Sequence, residues 1–152
     1  MWTDDIMVEF QYHLRKKFPH LDDAQCGGVR RNLEETFASG HVQGYTIDPR
    51  GRYPDIGDAH VHCAAIHAHA DILLTNDTRG FVESDELPYE IYNCDDFLTL
   101  LDDSAPHVVR AVIVEQLRLF HRKGMNTSLP KRLRSADAPN FADSPGTPSA
   151  AR

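Results

Sequence analysis

The stretch that most constrains the fold is residues 57–81, GDAHVHCAAIHAHADILLTNDTRGF. Small apolar side chains recur there at helical spacing, which predicts a helix over residues 58–69. A short apolar run, DILLT at residues 71–75, follows a tight turn and predicts a strand covered on both faces. Asp58 therefore stands at the start of the helix, and Asp77 lies just beyond the end of the strand. The face of small residues consists of Val61, Ala64, Ala65 and Ala68.

Helices and strands alternate along the rest of the chain. The first helix is predicted over residues 1–18, because Thr3 can cap it and acidic and basic residues stand at its favourable ends. The alternation as a whole predicts an α/β fold with a mainly parallel sheet. The other predicted elements are a helix over residues 22–39, a modest strand over 41–47, a loop over 48–57, a strand over 90–93, and helices over 95–101 and 106–123.

Length and composition set the domain organisation. A chain of 152 residues is long enough for one domain with a substantial core, which we assign to residues 1–124. From residue 125 the chain is rich in Pro, Ser, Ala and Asp, which predicts a disordered C-terminal segment over residues 125–152. A basic cluster in that segment could touch RNA or an acidic partner, although a solvated segment is the simpler interpretation. The cluster consists of Lys131, Arg132 and Arg134.

The charge, the apolar runs and the cysteines limit the classes of protein to which this chain could belong. The net charge of −7 is unlike that of a generic nucleic-acid binder, which carries a basic excess. Apolar runs are only a few residues long and no signal peptide is evident, so we expect a cytoplasmic protein with no membrane span. Three widely spaced cysteines without a CxxC pair argue against a disulfide framework. No dinucleotide, Walker or serine-hydrolase motif is present.

The two carboxylates that stand at element ends are the first candidate site. Ligands gather beyond the carboxyl ends of parallel strands, where Asn76 and Asp77 are expected. Magnesium prefers oxygen ligands and keeps several waters, so Asp58 and Asp77 would suit it if they lie close together. Each also has a structural interpretation, Asp58 as a helix cap and Asp77 as a turn residue. On the first helix, Glu9 borders an apolar stripe and taken alone is a surface carboxylate.

The histidines of the same stretch suggest a second kind of site. His60, Cys63 and His67 fall at i, i+3 and i+7 on one side of the predicted helix. Zinc accepts these ligand types, but i and i+7 are about 10 Å apart along a helix axis and cannot share one ion directly. His62 and His69 repeat the i+7 spacing on another side. We expect most of these histidines to be polar helix residues and Cys63 to be a core residue.

Residues 54–81, PDIGDAHVHCAAIHAHADILLTNDTRGF, resemble the C-terminal half of PIN-domain proteins, particularly the VapC-like toxin group. The shared pattern is a loop leading to Asp, x-His-Val, an alanine-rich helix, Ala-Asp, an apolar strand, and Thr followed by Asn/Asp and Phe. EIYNCDDFLTLL resembles the last strand and helix of that group, and WTDDIMVEF resembles its helix with an acidic residue at Glu9. The resemblance covers roughly residues 2–120.

The resemblance implies a three-layer α/β/α fold and a metal-dependent endoribonuclease. Glu9, Asp58 and Asp77 would form the acidic cluster that binds Mg²⁺ or Mn²⁺, with Thr75 or Asn76 beside it. Such proteins are commonly toxins that are neutralised by an antitoxin protein, and they often dimerise. If the chain cleaves RNA, basic residues would orient the RNA backbone. The candidates for this role are Arg50, Arg52 and Arg79.

Against the PIN pattern, this sequence begins after the first strand and helix, so the domain is expected to be N-terminally incomplete. The absent strand carries the first metal-binding Asp, and Gly80 stands where many relatives have an acid. A late start codon, a split gene and a degraded relic would each produce this pattern. The alternative function is therefore a PIN-like module that binds RNA or an antitoxin without turnover, and a third is a zinc-binding regulator that uses the histidine helix.

Overall fold

The computed structural model describes residues 1–77, 79–82, 84–125 and 128–144. The chain divides into two compact units, which are described separately. The first unit comprises residues 1–71 and 79–89, and the second comprises residues 72–78 and 90–152. With helices and a short parallel sheet, the protein is of mixed α/β class. In the described ranges, no helix is both long and apolar enough to cross a membrane.

Two helices open the first unit, as the sequence predicts. Helix α1 spans Asp4–Lys17, and the Thr3 side chain caps it by accepting a hydrogen bond from the Ile6 amide at 3.1 Å. Helix α2 spans Asp23–Thr36 and begins with a capping box, in which Asp22 and Gln25 accept hydrogen bonds from each other's amides. Polar caps thus set where both helices begin, and the sequence signals for them are confirmed.

The strand predicted over residues 41–47 is absent, although the structure describes this whole segment. Its extended backbone is limited to one parallel bridge, between His41 and Trp2. The indole of Trp2 stacks on the His41 ring with centroids 4.1 Å apart, and its N–H donates to the Phe37 carbonyl. The prediction is wrong because HVQGYTI finds no neighbouring strand with which to form a ladder, and an isolated extended segment is unstable.

Helix α3 spans Ala59–His67 and ends two residues earlier than predicted. His69 adopts a left-handed conformation with φ of 51°, which stops the helix before the turn. Ala64 and Ala65 are buried, as the alanine face predicts. His60 and His62 are also buried, at 8% and 4% exposure. Their burial requires specific polar partners.

The second unit contains the sheet. Strand β1 (Ile72–Leu74) pairs in parallel with β2 (Glu90–Tyr92), with Leu73 opposite Ile91. Both strands lie where the sequence predicts them, but Leu74 is 48% exposed, so β1 is not covered on both faces. The observed sheet is short and two-stranded. It establishes the mixed α/β class and leaves the three-layer arrangement as a prediction.

Two helices follow the sheet at nearly their predicted positions. Helix α4 spans Cys94–Ser104, and its cap is Asn93 rather than the predicted Asp95 or Asp96. Asn93 accepts a hydrogen bond from the Asp96 amide at 2.8 Å. Helix α5 spans Pro106–Arg122, with Pro106 in its first turn as expected from the fixed φ of proline. Residues that follow α5 pack against these two helices and cover part of their surface.

The C-terminal segment is folded over residues 128–144, where disorder is predicted from composition. It forms α6 (Leu129–Ser135) and α7 (Pro139–Ala142). The buried cluster of this unit joins α5, α6 and α7 through five apolar side chains, which provide the burial that the composition appeared to lack. They are Ile113, Phe120, Leu129, Ala138 and Phe141. The remainder of the predicted disordered segment, residues 145–152, lies outside the described residues.

Candidate functional site

Glu9 of α1 lies beside the start of α3. Its Oε1 atom is 3.9 Å from Nε2 of His60, and the Glu9 side chain is 56% exposed whereas that of His60 is 9% exposed. The other ring nitrogen of His60, Nδ1, lies 2.8 Å from the carbonyl oxygen of Gly57. The His60 ring is therefore held against the backbone that leads into the helix. A solvent-accessible carboxylate and a buried imidazole face each other at this point.

Asp58 lies two residues before His60, at the end of a short 3-10 helix (Ile56–Asp58). The turn before it is fixed by Asp55, whose side chain accepts a hydrogen bond from the Gly57 amide at 2.7 Å. Asp58 occupies the N-cap position of α3, as its structural interpretation predicts, but its side chain makes no capping hydrogen bond there. Glu9 and Asp58 are thus brought to the same end of α3 within the first unit.

Asp77 belongs to the second unit, together with Thr75 and Asn76. The Thr75 hydroxyl accepts a hydrogen bond from the Asp77 amide at 3.0 Å. The Asn76 side chain accepts one from the amide of Cys94, the first residue of α4, at 3.1 Å. These contacts form a polar turn at the carboxyl end of β1, as the sequence predicts. Asp77 is exposed on that turn.

His62 is the most deeply buried histidine of α3 and has a partner on each side of its ring. Nε2 faces the Gly80 carbonyl at 3.2 Å, and Nδ1 contacts the Tyr89 hydroxyl. A carbonyl only accepts, so Nε2 carries the hydrogen and Nδ1 accepts from Tyr89. The ring also stacks on Phe81 with centroids 4.7 Å apart. His62 thereby ties α3 to residues 80–89.

A cavity of about 720 Å³ lies within the first unit beside His62. Its size is in the range of small-molecule sites, and its wall combines apolar side chains with a few polar groups. The Tyr53 hydroxyl lies 3.1 Å from the Cys63 sulfur in this wall. Gly51 allows that arrangement, because a Cβ atom there would lie 2.2 Å from the Tyr53 hydroxyl oxygen. The lining also includes Arg52, Pro54, Ile66, His67, Val82, Glu86 and Leu87.

The three arginines predicted to contact RNA all belong to the first unit and are exposed. Arg52 lines the cavity. Arg50 lies in the preceding turn, where its backbone N–H donates to the Asp48 side chain at 2.9 Å. Arg79 lies in the turn just before Gly80, whose carbonyl contacts His62. The structure therefore places Arg52 at a concave surface and the other two in turns.

The predicted metal ligands do not form a metal-binding group of three or more side chains in the described part of the chain. Among the described residues, no group of three or more His, Cys, Asp or Glu side chains is arranged to hold a metal ion. Of the residues considered for zinc, His60 contacts a backbone carbonyl through Nδ1, and Cys63 contacts Tyr53. Of the predicted acidic residues, Glu9 and Asp58 belong to the first unit, and Glu9 faces His60.

The residues around His62 are functional candidates that the sequence did not reveal. Tyr53 lies six residues before α3 and Tyr89 lies 22 residues after it, and neither belongs to a motif. The signal that was available is the unusual frequency of histidine on an alanine-rich helix. Buried imidazoles need hydrogen-bond partners, and tyrosine is a common one because its ring is apolar and its hydroxyl is polar.

Tyr53 and Tyr89 are expected to ionise late in an alkaline titration. The hydrogen bond to Cys63 raises the pKa of Tyr53 to about 12, and burial raises the pKa of Tyr89 to about 12. Because the folded state holds these protons more tightly than the unfolded state, the stability they contribute is present below about pH 10 and declines towards pH 12. Ultraviolet absorbance of tyrosinate, followed together with circular dichroism, measures both effects.

Tyr89→Phe provides the control for this titration. It should remove one late-ionising phenol and leave the Tyr53 step in place, because Tyr53 takes its shift from Cys63. If all tyrosines of the folded protein ionised together near pH 10, the hydrogen bonding described for Tyr53 and the burial of Tyr89 would be contradicted.

Comparison with protein families, with curated proteins and with solved structures finds no match to this chain. The fold defines a mixed α/β protein with a short parallel sheet. The PIN-like interpretation rests on the sequence pattern alone and stays a prediction.

Proposed function

We propose that this protein is a metal-dependent endoribonuclease with a PIN-like three-layer fold. The observation that carries the proposal is the position of Glu9, whose carboxylate lies 3.9 Å from His60 at the end of α3 where Asp58 stands. Glu9 and Asp58 are 49 residues apart in sequence, and each alone has an ordinary structural interpretation. Two carboxylates from distant parts of the chain lie near one helix end, which supports an acidic metal site.

The residues present suit a hard divalent cation. Mg²⁺ is commonly bound through one or two carboxylates, and water and substrate phosphate complete its coordination. Glu9 and Asp58 would hold Mg²⁺ or Mn²⁺ in this way, and the exposed Glu9 leaves the position accessible to a large substrate. Bound there, the cation would supply charge that stabilises a phosphodiester transition state and helps to activate water. The role of Asp77, which belongs to the second unit, stays a prediction from the sequence.

The cavity supports RNA as the substrate. Unpaired bases of single-stranded RNA bind by stacking on aromatic rings and on arginine guanidinium groups. The cavity offers Tyr53 as a ring and Arg52 as a cation. Because Cys63 in the cavity wall and His60 beside Glu9 are one helical turn apart on α3, an RNA strand could contact both regions of the first unit.

The second candidate is a module that binds RNA or an antitoxin protein and does not cleave RNA. The cavity favours it, since Arg52 and Tyr53 can bind a nucleotide independently of the carboxylates. In this case binding would persist without a metal ion. A homodimer and a cognate antitoxin are further proposals that follow from the resemblance.

A cleavage assay separates these candidates. The purified chain is incubated with labelled single-stranded RNA in Mg²⁺, in Mn²⁺ and in EDTA. We expect cleavage in either metal ion and none in EDTA. Glu9→Gln and Asp58→Asn should each reduce the rate tenfold or more, because each removes a charged oxygen ligand.

Glu35→Gln is the matched control, because it neutralises an exposed glutamate on α2 and should leave the rate unchanged. Cleavage that persists in EDTA or in both acidic-site variants would contradict the nuclease proposal. RNA binding in EDTA without cleavage in either metal ion would favour the binding module, and Arg52→Gln should then weaken that binding.

A further inference from the structure

The His60 ring has one nitrogen whose role the fold does not explain. The side chain of His60 is 9% exposed, and its Nε2 atom is buried without a hydrogen-bond partner among the described residues. A buried polar atom without a partner is costly, commonly by about 1–3 kcal/mol. Glu9 is the charged group that faces this nitrogen, but the separation of 3.9 Å is too long for a hydrogen bond.

The backbone determines which ring nitrogen carries the hydrogen. Nδ1 of His60 lies 2.8 Å from the Gly57 carbonyl oxygen, which only accepts hydrogen bonds. Nδ1 must therefore donate, and in the neutral ring Nε2 keeps its lone pair directed towards Glu9. A histidine that donates one ring N–H to a backbone carbonyl and presents the other nitrogen is typical of metal ligands, since the hydrogen bond fixes the ring orientation.

We infer that His60 Nε2 and the Glu9 carboxylate share a first-row transition-metal ion. Bonds from such an ion to imidazole nitrogen and carboxylate oxygen are about 2.0–2.2 Å long, so two ligands separated by 3.9 Å can both reach it at a wide angle. With so few protein ligands, positions on the ion remain for water and phosphate.

The nitrogen ligand gives this site a metal preference. Mg²⁺ takes oxygen ligands almost exclusively, whereas Mn²⁺ and the later first-row ions also accept imidazole. His60 would therefore favour Mn²⁺ over Mg²⁺ at a site that the carboxylates alone would leave undecided. This inference deepens the proposed function, on which it rests for its biological meaning, but the metal site can be tested without RNA.

The experiment is electron spin-echo spectroscopy of the Mn²⁺-loaded chain. We expect a ¹⁴N modulation from a directly bound imidazole in the unsubstituted protein, and none in His60→Gln. Titration should show that His60→Gln weakens Mn²⁺ binding tenfold or more and leaves Mg²⁺ binding nearly unchanged. His67→Gln is the control, because it removes an exposed histidine from the same helix and should keep the ¹⁴N signal.

Glu9→Gln supplies a second variant at an exposed position, where a folding defect is not expected, and it should also weaken Mn²⁺ binding. Absence of ¹⁴N modulation in the unsubstituted protein, or its survival in His60→Gln, would overturn the inference. Cleavage of RNA with Mg²⁺ or Mn²⁺ and no bound imidazole would overturn this inference alone. A clear ¹⁴N signal without any RNA cleavage would instead overturn the proposed ribonuclease.

Discussion

Replacing Asp95 by alanine is expected to destabilise the second unit by about 3 kcal/mol, because two charge-assisted hydrogen bonds are lost from a buried position. Asp95 is 6% exposed, and its carboxylate accepts hydrogen bonds from the amides of Asn140 and Phe141 at 3.0 and 2.9 Å. These amides belong to the first turn of α7, which has no partner within the helix for them. The carboxylate therefore fixes the last described helix to α4.

Urea unfolding measures this loss, and hydrogen exchange shows where it occurs. The amides of residues 128–144 should lose protection first in Asp95→Ala, since Phe141 contributes to the buried cluster through α7. Asp95→Asn keeps one side-chain oxygen as an acceptor, so a smaller loss is expected.

Asp103→Ala is the matched control, because Asp103 is an exposed aspartate of the same helix. Its free energy of unfolding should stay within about 0.5 kcal/mol of the unsubstituted value. Equal destabilisation by the two substitutions would contradict the assignment of the loss to the contacts with α7.

The Asp95 contacts help to explain why the C-terminal segment folds although its composition predicts disorder. Its composition is dominated by small and polar residues, and the apolar residues Leu129, Leu133 and Phe141 are too sparse to give a clear helical period. They are nevertheless enough when α5 already presents Ile113 and Phe120 for them to cover. Tertiary contacts overrode a compositional signal, because burial depends on the neighbouring helices as much as on the segment itself.

Local signals, by contrast, predicted most helices well. Thr3 and Asp22 cap α1 and α2, and Pro106 opens α5, because these residues act on backbone groups only a few positions away. The strand predicted over residues 41–47 failed for the opposite reason. A strand needs a partner that may be distant in sequence, and the pattern HVQGYTI contains no information about one.

The candidate site was predictable only where local sequence signals define it. Asp58 and its position at the start of α3 follow from the local pattern, and the approach of Glu9 was expected only from the resemblance. Gly57 contacts His60 locally, from three residues before it. Tyr89 and Glu9 reach α3 by tertiary folding, so these two polar partners of the buried histidines could not be predicted. An excess of histidine on a buried helix indicates that such partners exist but does not identify them.

His62 gives the second large expected effect. His62→Ala should destabilise the first unit by about 3–4 kcal/mol, because it leaves a cavity in a packed region and removes the acceptor of a buried hydroxyl. The ring is 4% exposed and stacks on Phe81, and Tyr89 is 6% exposed. Loss of the contact with the Gly80 carbonyl should also release residues 79–82 from α3.

His62→Phe separates packing from hydrogen bonding, since phenylalanine restores a stacked ring but offers Tyr89 no acceptor. Its expected free energy of unfolding in urea lies between those of the unsubstituted protein and His62→Ala. His67→Ala, at an exposed position of the same helix, should change little. A His62→Ala protein as stable as the His67→Ala control would contradict the assigned contacts. Because His62 also lines the cavity beside Cys63, faster reaction of that thiol with a disulfide reagent in His62→Ala would report the same loss of packing at the proposed RNA surface.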